Sequence, residues 1–125
     1  ADAEPLVIKA ARVLKIFRAA HLRGETVSDK EINAVVTLNR AEHNKVFEVF
    51  QEFKLLNQTE DEHWILGRNL KAVTLWDLYQ RLPDGLSLER LKTINDFPQV
   101  VEPLISITQF GSNEMSVTMD SVLAL

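Results

Sequence analysis

The side chains best suited to chemistry lie between residues 40 and 54, where groups that can bind nucleic acid alternate with apolar ones. Arginine and lysine pair with phosphates or guanine, and asparagine and glutamine hydrogen-bond to adenine. The candidate nucleic-acid contacts are Arg40, Asn44, Lys45 and Gln51. The same stretch carries three glutamates, and the acidic turn Glu60-Asp61-Glu62 follows it. Because phosphate-binding surfaces need net positive charge, the sequence favours a solvated helix face over nucleic-acid binding.

A second candidate is a basic series near the start of the chain. Its members are Lys9, Arg12, Lys15 and Arg18. Steps of three residues spread such side chains over about half of a helix circumference. Residues 1–23 carry five basic and two acidic side chains, a net +3, whereas residues 24–125 carry nine basic and sixteen acidic ones, a net −7. This confined positive charge suits a contact with anionic lipid headgroups or phosphate, and an ordinary solvated face is the alternative.

No pattern of catalytic or ligand-binding residues is visible in the sequence. The 125 residues include no cysteine, which excludes disulfides, thiolate metal sites and cysteine nucleophiles. The histidines at positions 21, 43 and 63 lie in separate predicted elements, without a metal-binding spacing. Neither a glycine-rich phosphate loop nor a Gly-x-Ser-x-Gly motif occurs. We therefore predict no catalytic site, no metal and no cofactor.

Three helices are predicted to position the candidate groups. An apolar stripe predicts a first helix over residues 5–22, which Gly24 ends in the left-handed conformation, before a short extended piece at 26–27. A capping box at 28–31 opens the second helix. Asn39 caps the third, which continues to about residue 54. The side chains predicted to face the core are Leu6, Ala10, Val13, Leu14, Phe17 and Ala20 in the first helix, Ile32, Val35 and Val36 in the second, and Val46, Val49, Phe50 and Phe53 in the third.

A hairpin is predicted directly after the third helix. Residues 55–59 and 63–67 read as short strands joined by the acidic turn, with Trp64 packing on the core. The order of helix, short strand, helix, turn, helix and hairpin is typical of a winged helix-turn-helix, in which the third helix reads the DNA major groove. The hairpin is then the wing.

The rest of the chain, residues 69–125, predicts a helical extension. Its elements are a helix over 75–82 that packs Trp76 on the core, a turn at 87–91, a helix over 96–110 whose start Pro103 could move to a later residue, and a short helix over 118–125. The predicted fold class is mainly α with a small β-hairpin. Residues 1–125 form one domain, with a winged-helix core at 5–68. No apolar run reaches the roughly 18 residues of a membrane span, and the chain starts at Ala1 rather than at a methionine, so we expect a piece of a longer protein.

Two stretches resemble a known family. One is Ala-Ala-Arg-Val-Leu-Lys-Ile at 10–16, and the other is Glu-Asp-Glu-His-Trp-Ile-Leu-Gly-Arg-Asn-Leu at 60–70, followed by Val-Thr-Leu-Trp-Asp-Leu-Tyr at 73–79. Together they resemble the cytoplasmic C-terminal winged-helix extension of the YihY/BrkB-type inner-membrane proteins, often labelled ribonuclease BN. A similar wing-to-helix phrase occurs in iron–sulfur-sensing repressors, but those carry cysteines after this helix and this chain has none.

The resemblance implies a six-helix transmembrane domain ahead of this chain. The basic first helix would then lie just after the last span, on the cytoplasmic face of the bacterial inner membrane, as the excess of positive charge in cytoplasmic segments requires. The implied partners are the protein's own transmembrane domain and the membrane surface, with a further protein as an additional candidate and nucleic acid not expected.

Three functions follow, in order of preference. The first is a non-catalytic cytoplasmic accessory domain that acts through protein contacts or the membrane surface. The second is a DNA-binding winged-helix transcription regulator. The third is a part of a tRNA-processing ribonuclease, which only the family's label suggests, since the residues show no acid–base pair or ligand set for it.

Overall fold

The computed structural model describes residues 4–110 and 117–124, which form a mainly helical fold with one small antiparallel sheet. The elements are α1 (Leu6–Leu22), α2 (Asp29–Val35), α3 (Arg40–Glu52), β1 (Leu56–Gln58), β2 (Trp64–Leu66), a 3-10 turn (Leu70–Ala72), α4 (Leu75–Arg81), α5 (Leu88–Lys92), α6 (Pro98–Phe110) and α7 (Met119–Leu123). Within the described residues, no helix combines the length and the apolar character that a membrane span requires.

Side-chain caps set the helix starts where the sequence predicts them. Ser28 accepts from the backbone N–H of Glu31 while the Glu31 carboxylate accepts from the N–H of Ser28, and Asn39 with Glu42 repeats this box at α3. Each such cap is worth about 1 kcal/mol. Gly24, after α1, has a φ of 70°, which confirms the predicted left-handed stop. The Asn39 box ends the turn between α2 and α3.

The sheet ties the hairpin to the first helices. Strands β1 and β2 pair with Leu56 opposite Leu66 and Gln58 opposite Trp64. Val27 exchanges two backbone hydrogen bonds with Trp64, at 2.9 and 2.7 Å. The Trp64 indole N–H donates to the Asp29 carboxylate over 2.9 Å and its ring lies 5.1 Å from the Phe47 ring. Trp64 therefore joins the extended piece at Val27, α2, α3 and the hairpin at one point.

Helix α1 is the centre of a core to which both halves of the chain contribute. Its first six residues, 6–11, are all buried, because α3, α4, α6 and α7 pack around it. The later segments also cross-link by backbone bonds, from Met119 N–H to the Val73 carbonyl and from Leu75 N–H to the Val117 carbonyl. The predicted core positions of α1 are confirmed as buried, and the predicted extension shares the same core.

Two apolar predictions in α2 and α3 need correction. Val35 was expected to face the core but is 66% exposed. It is the last residue of a seven-residue helix, and the chain becomes extended at Val36 (φ −122°, ψ 126°), which turns the Val36 side chain inward instead. Phe47, absent from the predicted set, is buried between His43 and Trp64, while Phe53 is only partly buried.

Pro103 does not move the start of α6. The helix begins at Pro98, where the ring suits the first turn and needs no N–H partner, and Pro103 lies inside it. Trp76 is partly buried against the core and stacks on Tyr79 with ring centres 5.4 Å apart. Helices α4 and α6 therefore both pack against the core residues that the second half of the chain contributes.

Candidate functional site

The basic series of α1 does not form one exposed surface, and Lys9 is the clearest exception. Its side chain is 2% exposed, and its ammonium lies 2.9 Å from the Glu42 carboxylate at the start of α3. A lysine held in the core beside a carboxylate cannot reach a lipid headgroup. Lys9 is therefore removed from the predicted membrane contacts and is instead a link between α1 and α3.

Arg12 is engaged by two acids. Its guanidinium donates to Glu4 over 2.6 Å and to Asp96 over 2.9 and 3.0 Å, and it lies 5.2 Å from the centre of the Phe97 ring. The hydrogen bonds to Glu4, and then to Asp96, hold the pKa of Arg12 above its usual range. Arg12 thus fastens the loop between α5 and α6 to α1, and its charge is largely offset.

Low pH should weaken the ion pair between Arg12 and Asp96. The hydrogen bond from Arg12 lowers the pKa of Asp96 from its ordinary value of 3.8. A carboxyl with a lowered folded-state pKa adds stability above its ordinary pKa and loses that contribution as the pH falls through the lowered value. Asp96→Asn should therefore lower the free energy of unfolding at neutral pH by about 1 kcal/mol or less, since the carboxylate is mostly exposed.

Urea unfolding at neutral pH and at about pH 2 measures this difference. The gap between the wild-type and Asp96→Asn proteins should narrow as the pH falls below 3.8, the ordinary pKa of this carboxyl. The exposed Glu102→Gln on α6 is the control for general loss of a carboxylate. A gap that stays constant with pH would contradict the assigned role of Asp96.

The other two members of the series differ in their surroundings. Lys15 is exposed, with its ammonium 5.3 Å from the centre of the Phe97 ring. Arg18 is mostly buried, and its guanidinium lies 3.4 Å from the Asp120 carboxylate on α7. The series spreads over about half of the helix circumference, as predicted, and α6 and α7 pack against different parts of α1. The series is divided between the core, two ion-pair clusters and solvent.

The predicted nucleic-acid contacts on α3 are all exposed, as that role requires. Arg40, Asn44 and Gln51 lie at the surface, but Lys45 pairs with Asp84 over 2.9 Å. The side chains of the wing turn, residues 60–62, are exposed too. A hydrogen bond from Thr59 lowers the pKa of Asp61, so that carboxylate stays charged at neutral pH. The α3 surface therefore offers little net attraction for phosphate.

The histidines are used within the fold. His43 stacks on Phe47 with ring centres 4.2 Å apart, and Nδ1 of His63 lies 2.9 Å from the Thr26 hydroxyl. No three His, Cys, Asp or Glu side chains in the described ranges come together in a way that could hold a metal ion. We find no arrangement of the described side chains that would bind a cofactor.

Sequence reasoning missed a groove of about 500 Å³ between the end of α1 and the segment after the wing. We call it the basic groove, because its lining includes Arg18, His21, Arg68 and Lys71 against one carboxylate, Asp120. The other lining residues are Leu22, Leu66, Gly67, Asn69 and Leu70. Its cations come from two segments far apart in the sequence, Arg18 from the basic series of α1, and Arg68 and Lys71 from the segment after the wing.

A larger open groove, of about 850 Å³, lies between α1, the end of α2 and the loop that precedes α6. We call it the apolar groove, since Ile16, Ala19, Val35, Val36 and Ile94 lie in its wall, with the Arg12 cluster at its edge. The exposed side chain of Val35 thus lies in the wall of this groove. Among the described residues, the structure thus offers both a basic and an apolar concave surface.

Comparison with known proteins gives one informative similarity. No family model matches the chain. The chain is 34% identical over 116 residues to a UPF0761 membrane protein of Chromohalobacter salexigens, in an alignment that covers 93% of this chain and 28% of that protein. The chain therefore spans little more than a quarter of the length of this relative. The similarity supports the resemblance to YihY/BrkB-type proteins.

Proposed function

We propose that the chain is a non-catalytic accessory domain of a YihY/BrkB-type inner-membrane protein, and that it works by surface contact. One observation carries the proposal: a chain whose described helices are too short or too polar to span a bilayer aligns over 93% of its length with part of a membrane protein. The remaining part of such a protein would supply the membrane spans. The partners of this domain are then its own transmembrane part and the membrane surface.

We further propose that residues 5–68 form a winged helix-turn-helix. Three features support it: the order α1, α2, α3 and hairpin, the backbone bridge between Val27 and β2, and the tight turn between two capped helices. In this interpretation α3 corresponds to the recognition helix of a winged helix-turn-helix, and the hairpin is the wing. Residues 69–124 supply the helices that cover α1.

The proposal places the domain on the cytoplasmic side, and a reporter fusion tests this directly. The longer protein would be fused after its equivalent of α7 either to green fluorescent protein, which fluoresces only in the cytoplasm, or to alkaline phosphatase, which is active only in the periplasm. We expect fluorescence and no phosphatase activity. The opposite pattern would overturn the cytoplasmic assignment, and a protein found in the soluble fraction would overturn the membrane-protein assignment.

DNA binding is the second candidate, because Arg40, Asn44 and Gln51 are exposed on α3. The acidic wing turn and the Lys45–Asp84 pair oppose it. We expect no gel shift of duplex DNA at micromolar protein and low salt, where non-specific binders do shift. A shift that Arg40→Ala abolishes and Lys92→Ala leaves unchanged would support the DNA-binding function instead. For a role in tRNA processing, the described residues offer no supporting observation.

A further inference from the structure

The basic groove carries more positive charge than its acidic lining residue neutralises. Arg68 donates to the Phe53 carbonyl over 2.8 Å, which fixes its side chain without neutralising it. Lys71 is exposed, and its backbone N–H, rather than its ammonium, is held by Asn69. The one lining carboxylate, Asp120, lies 3.4 Å from Arg18. The groove therefore has at least two cations, Arg68 and Lys71, in excess over its acid.

Exposed apolar side chains border this charge. Leu22, the last residue of α1, lines the basic groove and is 68% exposed. Ile65 on β2 is also exposed, and it shares a smaller neighbouring groove with His21. Basic side chains flanking exposed large apolar ones match the layered chemistry of a membrane interface.

We propose that the basic groove and Leu22 form a contact site for an anionic phospholipid surface. Arg68 and Lys71 would bind lipid phosphates, and Leu22 would enter the boundary between headgroups and acyl chains. This inference rests on the proposed function, because a domain tethered to a membrane protein is held close to the bilayer. It moves the predicted membrane contact from the middle of α1 to its end and keeps only Arg18 of the original series.

Nucleic acid fits this site less well than a bilayer does. Phosphate alone would satisfy Arg68 and Lys71 in either case, but a nucleic acid offers no apolar phase for Leu22. The acidic wing turn at residues 60–62 stands on the same hairpin that leads into the groove through Leu66. That turn would repel a long polyanion, whereas a flat bilayer can be contacted at the other end of the hairpin.

Vesicle flotation with this chain tests the inference. The probes are vesicles of equimolar phosphatidylglycerol and phosphatidylcholine, and vesicles of phosphatidylcholine alone. We expect binding to the first and little to the second, and loss of binding at about 0.5 M salt. Arg68→Gln with Lys71→Gln should weaken binding about 30-fold, since each basic residue near an anionic surface contributes about fivefold. Leu22→Ser should weaken it about tenfold through lost apolar transfer.

The matched control is Arg40→Gln with Lys92→Gln, which removes the same charge from exposed positions outside the groove. It should leave binding within about threefold of wild type, and unchanged melting temperatures should show that all variants fold. Absence of wild-type binding to the anionic vesicles overturns the inference, as does equal weakening by the control. Binding to duplex DNA or RNA but not to vesicles also overturns it. The reporter fusion is independent of these results, so a failed vesicle test leaves the proposed function standing.

Discussion

Replacing Glu42 with alanine is expected to lower the free energy of unfolding by about 3 kcal/mol, whereas replacing its partner with methionine, Lys9→Met, should change it by less than about 1 kcal/mol. The two partners differ in burial, because the Lys9 side chain is 3% exposed and the Glu42 side chain 26%. Glu42→Ala takes from a buried ammonium the carboxylate that lies 2.9 Å from it. Lys9→Met replaces that ammonium with an apolar side chain of similar volume and leaves a carboxylate that water can reach.

Urea unfolding followed by circular dichroism measures both changes. Glu42→Ala also removes the bond to the Asn39 N–H, so Glu42→Gln is informative, because glutamine keeps the capping geometry and loses the charge. Glu48→Ala, an exposed glutamate on the same helix, should cost less than about 0.5 kcal/mol. Equal losses for Glu42→Ala and Lys9→Met would show that the asymmetry of burial does not govern this pair.

The second large effect is expected at Trp64. Trp64→Ala should cost about 4 kcal/mol, because the indole contacts Phe47 and fills the space between the hairpin and α3. Trp64→Phe keeps most of that volume and loses the hydrogen bond to Asp29, so it should cost about 1 kcal/mol from that bond. The difference between the two separates packing from hydrogen bonding.

Thermal unfolding with near-ultraviolet circular dichroism measures both Trp64 variants, and Trp76 remains as a reference chromophore. Asp29→Asn should cost less than Trp64→Phe, because an amide oxygen can still accept from the indole with less charge. A Trp64→Ala protein that unfolds within about 1 kcal/mol of wild type would mean that the hairpin is not anchored at this residue.

The local structure of this chain was largely predictable, because a few neighbouring residues determine where each helix begins. Ser28 with Glu31, and Asn39 with Glu42, form the predicted boxes, and Gly24 takes the predicted conformation. The acidic turn at 60–62 separates two strands that pair as expected. These features depend on hydrogen bonds within four residues, which short-range patterns encode well.

Burial was harder to predict where distant segments pack together. The apolar stripe of residues 6–20 correctly indicated a helix, but nothing near Lys9 and Arg12 in the sequence shows that Glu42 and Asp96 would meet them. Val35 was misplaced because the helix ends one residue before the apolar pattern does. A periodic pattern fixes which side chains share a face, and it does not tell which face another segment will cover.

The candidate site depended on the same kind of contact. Arg68 and Lys71 follow the wing without forming a basic run, and they join Arg18 and His21 only because the chain returns past the end of α1. The α3 residues, in contrast, were correctly expected at the surface from helical periodicity alone. Sequence therefore located the exposed helix face and missed the groove formed by tertiary folding.

The position of α1 has a consequence for how the protein is made. Helix α1 is synthesised first, and α7, which packs against it and is bound through the Met119 N–H to the Val73 carbonyl, follows about a hundred residues later. At typical elongation rates this leaves the part of α1 that α7 covers exposed for roughly 5 to 20 seconds, during which chaperones can bind it. We expect folding yield, rather than final stability, to be most sensitive to changes in α7.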